Sequence, residues 1–200
     1  MQSKTDLRVI KTKSNIKKVF IELLYQEEFS KITVQEILDR ALINRSTFYK
    51  YYIDKYDLAE HLVDEVIKDS TIFINERFTS TREGTFFPTI KRIYEHFYER
   101  RNVILALLRI KTDEISLGDT FQALLKEQYI NHIKTNTSKE AASLIDYHAT
   151  VYASFVFTTL KWLLISGNES DIEKITQDFN STFFDRIFFR DFKTDDIAKI

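Results

Sequence analysis

The apolar positions near the start of the chain recur at helical spacing. Ser14 precedes them as a capping residue, and the pattern ends near Glu28. Steps of three and four residues are typical of an amphipathic helix with one buried face. The pattern therefore predicts a first helix from Ser14 to about Glu28, with a core face formed by Ile16, Val19, Phe20, Leu23 and Leu24.

Two shorter helices are predicted next. Thr33 and Glu36 have the spacing of a capping box, in which each side chain accepts a hydrogen bond from the other residue's backbone amide. This box precedes the apolar positions of a short second helix. Asn44 is a favourable N-cap for a third helix that extends from Arg45 to about Tyr51. The sequence thus places two short helices on either side of a turn of about three residues.

The remaining pattern predicts a long fourth helix and then five more. Asp54 caps the fourth helix, which runs from Lys55 to about Phe78, and a polar segment at 80–85 follows it. About nine helices result in all. The later ones are Phe87 to about Arg100, a shorter helix capped by Asn102, Thr120 to about Lys134, a long helix opened by Thr137 and Glu140 and closed by Gly167, and a last helix opened by Ser170 and Glu173.

Composition narrows the class of protein. Three glycines and one proline in 200 residues leave few residues for tight hairpins, whereas 44% apolar residues suffice for a core. The chain has no cysteine, which excludes disulfides and thiolate metal sites. The first residues lack a secretory apolar stretch, and the late apolar run is interrupted by Lys161 and judged too short for a membrane span. We expect an all-α cytoplasmic protein.

Charge is distributed unevenly along the chain. Residues 1–58 carry 11 basic and 8 acidic side chains, a net charge of +3, and the remainder has a net charge of −4. The excess is concentrated in the first 18 residues. A polyanionic partner for this end is one interpretation, and a solvated tail is the other.

Residues 33–52 have the pattern of a helix-turn-helix, whose second helix enters the major groove of DNA. In that helix Phe48 is expected to point into the core. Arg45 is suited to guanine, Thr47 to a thymine methyl or a phosphate, and Lys55 to a phosphate near the amides that open the fourth helix. The candidate DNA-binding residues are Thr33, Asn44, Arg45, Ser46, Thr47, Tyr49, Lys50 and Lys55.

These residues resemble the TetR family of bacterial transcriptional regulators. The shared features are Thr33, Ile37, the segment 47–52 (Thr-Phe-Tyr-Lys-Tyr-Tyr), Lys55 and Leu58, and the resemblance covers about Ser14 to Val63. It implies an N-terminal three-helix DNA-binding lobe, residues 1–58, and a C-terminal helical bundle, residues 59–200, for effector binding and dimerisation. It also implies a ligand-responsive repressor that binds a palindromic double-stranded DNA operator as a homodimer.

Two positions depart from the family pattern. Leu42 and Ser46 stand where the family usually has glycine, in the turn and just before the recognition-helix threonine. A positive φ at Leu42 would cost roughly 1–2 kcal/mol, so the turn is either strained or wound differently. The operator preference of relatives is therefore not transferable.

The C-terminal lobe carries two further sets of candidates. An aromatic stripe, with His96 or His132 as a polar contact, could line a pocket for a small hydrophobic or aromatic effector, although such stripes are more often simply core. The resemblance implies that two subunits pair through their last two helices. The first of these helices is apolar nearly all round, so it must bury more than one face, which supports the same expectation. The effector candidates are Phe87, Tyr94, Phe97, Tyr98, Phe121 and Tyr129; the dimer candidates are Val151, Phe155, Trp162, Phe179 and Phe183.

Catalysis is not expected. The four histidines have no metal-ligand spacing, and the sequence has neither a phosphate loop nor a nucleophile elbow. We therefore predict no enzymatic activity, no metal and no cofactor. The alternative function is a helix-turn-helix that has become a protein-interaction module or a co-regulator without its own operator.

Overall fold

The computed structural model describes residues 4–79, 86–136, 144–167, 171–172 and 174–175. These residues form eight helices and no strand, which confirms the all-α class. The predicted ninth helix falls mostly outside the described residues; within its range, 171–172 and 174–175 are described and are helical. The helices are α1 (Lys4–Gln26), α2 (Val34–Ala41), α3 (Arg45–Tyr49), α4 (Lys55–Thr79), α5 (Phe86–Glu99), α6 (Arg101–Leu107), α7 (Leu117–Asn136) and α8 (Ile145–Ser166).

Several helix ends coincide with the capping signals in the sequence. Thr33 and Glu36 form the predicted capping box at the start of α2. Asn44 caps α3, and Gly167, with φ 65°, closes α8. The predicted boxes at Thr137 and Ser170 lie outside the described residues. These local signals are reliable because each satisfies amides or carbonyls that a helix end leaves without partners.

Several helices begin where the sequence did not place them; α7, for example, begins at Leu117 and not at the predicted Thr120. α1 begins at Lys4, ten residues before the predicted start at Ser14, because nothing between them breaks a helix and Ser14 is tolerated in its interior. The Thr12 hydroxyl donates to the Arg8 carbonyl one turn earlier, 2.9 Å away. α6 begins at Arg101, so Asn102 lies inside this helix and is not its cap.

The chain divides into two compact units. Unit 1 contains Met1–Lys68 and Asn102–Leu117. Its core joins α1, α2, α3 and the first half of α4 through fully buried side chains. The Tyr25 hydroxyl donates to the Asn102 carbonyl, 2.8 Å away, and so attaches α6 to α1 within the same unit. The core of the first three helices and α4 includes Ile16, Phe20, Leu23, Leu24, Ile37, Phe48 and Leu58.

Unit 2 contains Asp69–Arg101 and Gly118–Ile200, and its described core is rich in aromatic rings. Phe97 of α5 and Phe121 of α7 meet edge to face, with centroids 5.6 Å apart. Tyr129 of α7 and Tyr152 of α8 have centroids 4.9 Å apart. Rings from three helices thus interlock around the inner face of α8.

The outer face of α8 remains exposed. Trp162 is 49% exposed and Ile165 is 64% exposed. By length and composition alone, α8 is also the one helix among the described residues that could cross a membrane. The expectation that this run is too short is wrong, since α8 has 22 residues. The core helix of a soluble protein passes the same test, and Tyr152, Leu163 and three other α8 side chains are buried in unit 2.

Candidate nucleic-acid interface

Asn44 organises the first turn of α3. Its Oδ1 atom accepts hydrogen bonds from the Thr47 amide at 2.9 Å, the Thr47 hydroxyl at 2.6 Å and the Ser46 hydroxyl at 2.9 Å. The cap satisfies an amide of the helix start and also orients the two hydroxyl groups. Three of the predicted DNA-binding residues are therefore held together at one end of this five-residue helix.

Phe48 fixes which face of α3 is turned outward. Its side chain is fully buried, and its ring packs against Tyr52, with centroids 5.7 Å apart. The prediction that Phe48 points into the core is confirmed. Because Phe48 anchors the inner side of this short helix, the opposite side presents Arg45, Ser46, Tyr49 and Lys50, all of them exposed.

The turn between α2 and α3 adopts a left-handed conformation at Leu42. Its φ and ψ are 53° and 45°, and its amide donates to the Leu38 carbonyl. The Ile43 amide bonds the same carbonyl at 3.1 Å. The sequence allowed either a strained turn or a turn wound differently, and the structure has the strained turn, because Leu42 has a positive φ although it is not glycine. The Leu42 side chain is 90% exposed and so gains almost no burial in return.

Lys55 has partners that the sequence did not reveal. Its Nζ atom donates to the carbonyls of Phe29 at 2.8 Å, Ser30 at 3.0 Å and Ile32 at 2.7 Å. Desolvation lowers the pKa of this ammonium group, against the opposing effect of Asp54 and two glutamates. An ammonium has three donors, and all three serve the loop between α1 and α2.

The amides at the start of α4 also have an internal partner. The Oδ1 atom of Asp54 accepts from the amides of Tyr56 at 2.8 Å and Asp57 at 2.9 Å. The site that the sequence suggested for a phosphate is thus filled by the chain's own carboxylate. Lys55 and the first amides of α4 thus both have partners within the chain where the sequence suggested a phosphate.

Thr33 has a positioning role at the start of α2. Its amide donates to a Glu36 carboxylate oxygen at 2.9 Å, and its hydroxyl donates to the same oxygen at 3.1 Å. The hydroxyl in turn accepts a hydrogen bond from the Glu36 amide at 3.2 Å. The hydrogen bond from the Thr33 backbone, followed by that from its hydroxyl, lowers the pKa of Glu36. The box fixes the beginning of the helix that precedes the turn.

Basic side chains and tyrosine rings lie beside one another on α3 and in the residues directly after it. The Arg45 guanidinium lies 5.8 Å from the centroid of Tyr49. The Lys50 ammonium lies 5.8 Å from the centroid of Tyr51, and Lys13 of α1 lies 5.3 Å from the same ring. Sequence reasoning missed Lys13 and Tyr51 as site residues, because α1 was expected to start after Lys13. The basic excess of the first 18 residues was the available signal.

The predicted effector residues separate into two groups. Tyr94, Phe97 and Phe121 line a cavity of about 140 Å³ in unit 2, and Phe155, predicted as a dimer residue, lines it as well. Tyr98 lies in a neighbouring concavity, and Tyr129 packs on Tyr152. None of the described residues that line this cavity is charged. Besides those already named they are Ile74, Ile90, Ile93, Leu125, Tyr152, Val156, Thr159, Leu160, Leu163, Ile172 and Ile175.

Other predicted contacts fall elsewhere. His96 stacks on Phe73, with centroids 3.9 Å apart, and burial lowers its pKa; the residue does not line the cavity. His132 does not line it either. The side chain of Phe87 and the residues Phe179 and Phe183 lie outside the described part of the chain. Within the described residues, no group of three or more His, Asp or Glu side chains could hold a metal ion.

Comparison with known proteins agrees with the geometry of α1 to α4. Residues 20–62 match the sequence model of the family described as bacterial regulatory proteins, tetR family. The fold is similar to a TetR transcriptional regulator from Streptococcus agalactiae 2603V, with 27% identity and a TM-score of 0.58, over 86% of this chain and 94% of that chain.

Two further proteins are similar over different lengths. The dihydroxyacetone kinase operon activator DhaS shares the fold, with 17% identity and a TM-score of 0.53 over 84% of this chain and 93% of that chain. The uncharacterized HTH-type transcriptional regulator YxbF of Bacillus subtilis (strain 168) is 23% identical over 90 residues, or 42% of this chain. That match covers 24% of the relative, so the chain spans about a quarter of this curated protein's length.

Proposed function

Because the chain belongs to the TetR family of bacterial regulatory proteins, we propose that it is a ligand-responsive repressor that binds a palindromic DNA operator as a cytoplasmic homodimer. The observation that carries this proposal is the outward face of α3. There the hydroxyls of Ser46 and Thr47, both of which donate to the N-cap residue, lie beside the exposed Arg45. The buried Phe48 side chain holds the opposite side of the helix in the core. The proposal assigns no catalytic step to the protein.

The outward face of α3 provides both kinds of DNA contact. Arg45 offers a bidentate donor pair to a guanine edge, and the Thr47 methyl group offers an apolar contact to thymine. Tyr49 and Lys50, one turn later, reach phosphates, which fix the register of the helix without reading sequence. Asn44 acts by holding the first turn in place, since its oxygen is already used by three donors.

Dimerisation is supported by the outer face of α8. Exposed or half-exposed side chains recur there in steps of three and four residues, with small residues in the middle and Trp162 and Ile165 near the end. Such a stripe suits packing against a second helix, and a homodimer would place two copies of α3 on two half-sites. The stripe contains Tyr147, Val151, Ser154, Thr158, Trp162 and Ile165.

The cavity in unit 2 supports an effector of small size and low polarity. A cavity of about 140 Å³ is comparable to engineered cavities of roughly 150 Å³ that bind benzene. Among the described lining residues, hydroxyls come from Tyr94, Tyr152 and Thr159. An uncharged aromatic molecule of about six to ten heavy atoms fits these properties. Such an effector can cause the protein to release DNA only if it binds the non-binding state of the protein more tightly than the DNA-binding state.

The proposal is tested by selection of DNA from a random duplex library with the full chain, followed by affinity measurement on the enriched duplex. We expect enrichment of a palindrome, a steep decrease of affinity with salt, and roughly tenfold or greater weakening by Arg45→Ala. A charge-matched control is Lys31→Ala, since Lys31 is exposed and pairs with Glu28. A promoter-reporter assay with the palindrome gives the sign of regulation.

Failure of the selection has a definite meaning. If no duplex is enriched while Arg45→Ala and wild type have equal, weak affinity for DNA, the operator-binding proposal is overturned. A salt-insensitive complex with a protein would then favour the interaction-module alternative. Activation of the reporter in place of repression would overturn only the sign.

A further inference from the structure

Two lysines from different helices meet at one tyrosine ring in unit 1. The Lys13 ammonium of α1 lies 5.3 Å from the centroid of Tyr51, and the Lys50 ammonium, directly after α3, lies 5.8 Å from it. Both distances are within the range in which a cation is attracted to an aromatic face. The ring thus gathers two like charges that would otherwise separate.

Neither of these two lysines has an acidic partner among the described residues, a feature that Lys11 shares and that Lys17, Lys18 and Lys31 do not. Lys17 pairs with Glu65, Lys18 with Glu22, and Lys31 with Glu28. For Lys13 and Lys50, no carboxylate among the described residues lies within ion-pair distance. The Tyr51 hydroxyl likewise makes no hydrogen bond within the part of the chain that the structure describes. Two cations and one hydrogen-bond donor are therefore gathered with no anion beside them among the described side chains.

The group lies at a fixed place beside α3. Asn15, two residues after Lys13, donates from Nδ2 to the Ala41 carbonyl at the end of α2, 2.8 Å away. This bond ties α1 to the helix-turn-helix close to Lys13. Lys50 and Tyr51 follow the C-terminal end of α3, whereas Ser46 and Thr47 form its N-terminal turn. The gathered charges thus flank the end of α3 opposite the turn assigned to the bases.

We propose that Lys13, Lys50 and Tyr51 bind the DNA backbone, with the two ammonium groups and the phenol hydroxyl directed at phosphate oxygens, so that α1 is part of the DNA interface. This inference rests on the proposed function and adds a contact surface outside α2 and α3. Phosphate contacts of this kind set position and strength of binding without reading sequence. The ring restricts both lysine side chains beforehand, which reduces the entropy lost on binding.

The test uses the full chain and a fluorescein-labelled duplex enriched by the selection described above, with affinity measured across a salt series. The variants are Lys13→Gln, Lys50→Gln and Tyr51→Phe. Lys18→Gln is the matched control, because Lys18 lies on the same helix, is exposed and already pairs with Glu22. Lys13→Arg keeps the charge and should retain affinity. A melting curve for each variant confirms that it is folded.

We expect Lys13→Gln and Lys50→Gln each to weaken binding roughly three- to eightfold at 0.1 M salt and to reduce the salt slope by about 0.9. The loss should be equal on the palindrome and on a scrambled duplex. If Lys13→Gln changes affinity and slope no more than Lys18→Gln does, α1 is not part of the interface, and the proposal is overturned while operator binding stands. If the wild-type chain binds no duplex, operator binding has failed, and this inference fails with it.

Discussion

The ammonium group of Lys55 and the residue Phe29 are in contact twice: Nζ donates to the Phe29 carbonyl at 2.8 Å and lies 4.8 Å from the centroid of its ring. The same nitrogen bonds the carbonyls of Ser30 and Ile32. Lys55 therefore closes the loop between α1 and α2 onto the start of α4. A lysine with this environment stabilises the DNA-binding unit as a whole.

Replacing Lys55 by methionine keeps the stem of the side chain and removes its three hydrogen bonds. We expect the free energy of unfolding to fall by about 2 kcal/mol, because hydrogen bonds from charged groups contribute more than neutral ones. Thermal or urea unfolding measures this. Lys31→Met, at an exposed lysine of the same loop, should change stability by less than about 0.5 kcal/mol. Weaker DNA binding without loss of stability would instead assign Lys55 to phosphate.

The left-handed conformation of Leu42 gives a prediction with an internal control. Leu42→Gly removes the clash of Cβ at φ 53°, and we expect about 1 kcal/mol of added stability, since the relief of 1–2 kcal/mol exceeds the backbone entropy that glycine costs. Leu42→Ala keeps Cβ and so keeps the strain. It should leave stability nearly unchanged because the leucine side chain is 90% exposed. Equal stability of the two variants would show that the turn is not strained.

Asn44 allows stability and DNA binding to be separated. Asn44→Ala removes the oxygen that accepts from Ser46 and Thr47, and we expect a loss of about 1 kcal/mol of stability. Asn44→Asp keeps that oxygen at a helix start, where a negative charge is favourable, and should retain stability. Its charge should nevertheless weaken DNA binding several-fold, more at low salt than at high salt. Unchanged affinity of the aspartate variant would place this turn away from DNA.

The parts of the structure that the sequence predicted are those set by local chemistry. The boxes and caps at Thr33 and Asn44 depend on residues three positions apart, and the burial of Phe48 follows from the helical period. These features need no knowledge of the rest of the chain. The all-α fold class could be predicted for the same reason, because the capping residues and the helical spacing of apolar residues agree along most of the chain.

The features that the sequence did not predict depend on distant residues or on the absence of a signal. Lys55 and its carbonyl partners are 23 to 26 positions apart, so its charge was visible and its partners were not. The predicted start of α1 was wrong because a serine such as Ser14 can either cap a helix or lie inside one, and its identity does not distinguish the two cases. The aromatic stripe could not be divided into cavity and core, since both require apolar residues at one spacing.

The outer face of α8 predicts where a dimer would be disrupted. Ile165 is 64% exposed in one subunit, so Ile165→Glu should cost the isolated subunit little. At a helix–helix interface it buries a charge without a partner, and we expect the dimer to dissociate at micromolar concentration. Sedimentation measures this. Ala123→Glu adds the same charge at an exposed position of α7 and should leave the oligomeric state unchanged. A monomeric wild-type chain, or a dimer that survives Ile165→Glu, would contradict this use of α8.

The cavity of unit 2 predicts which small molecules bind. Its described lining contains no charged residue, and its volume is about 140 Å³. Toluene should therefore fit, whereas benzoate should be excluded because its carboxylate would lose hydration without gaining a partner. We expect toluene at 100 times its dissociation constant to stabilise the protein by about 2.7 kcal/mol, seen as a raised melting temperature, and benzoate to have no effect. Val156→Phe adds a ring at the lining and should abolish the response to toluene while leaving the protein folded. Equal responses to the two compounds, or a toluene response that persists in Val156→Phe, would show that binding occurs outside this cavity.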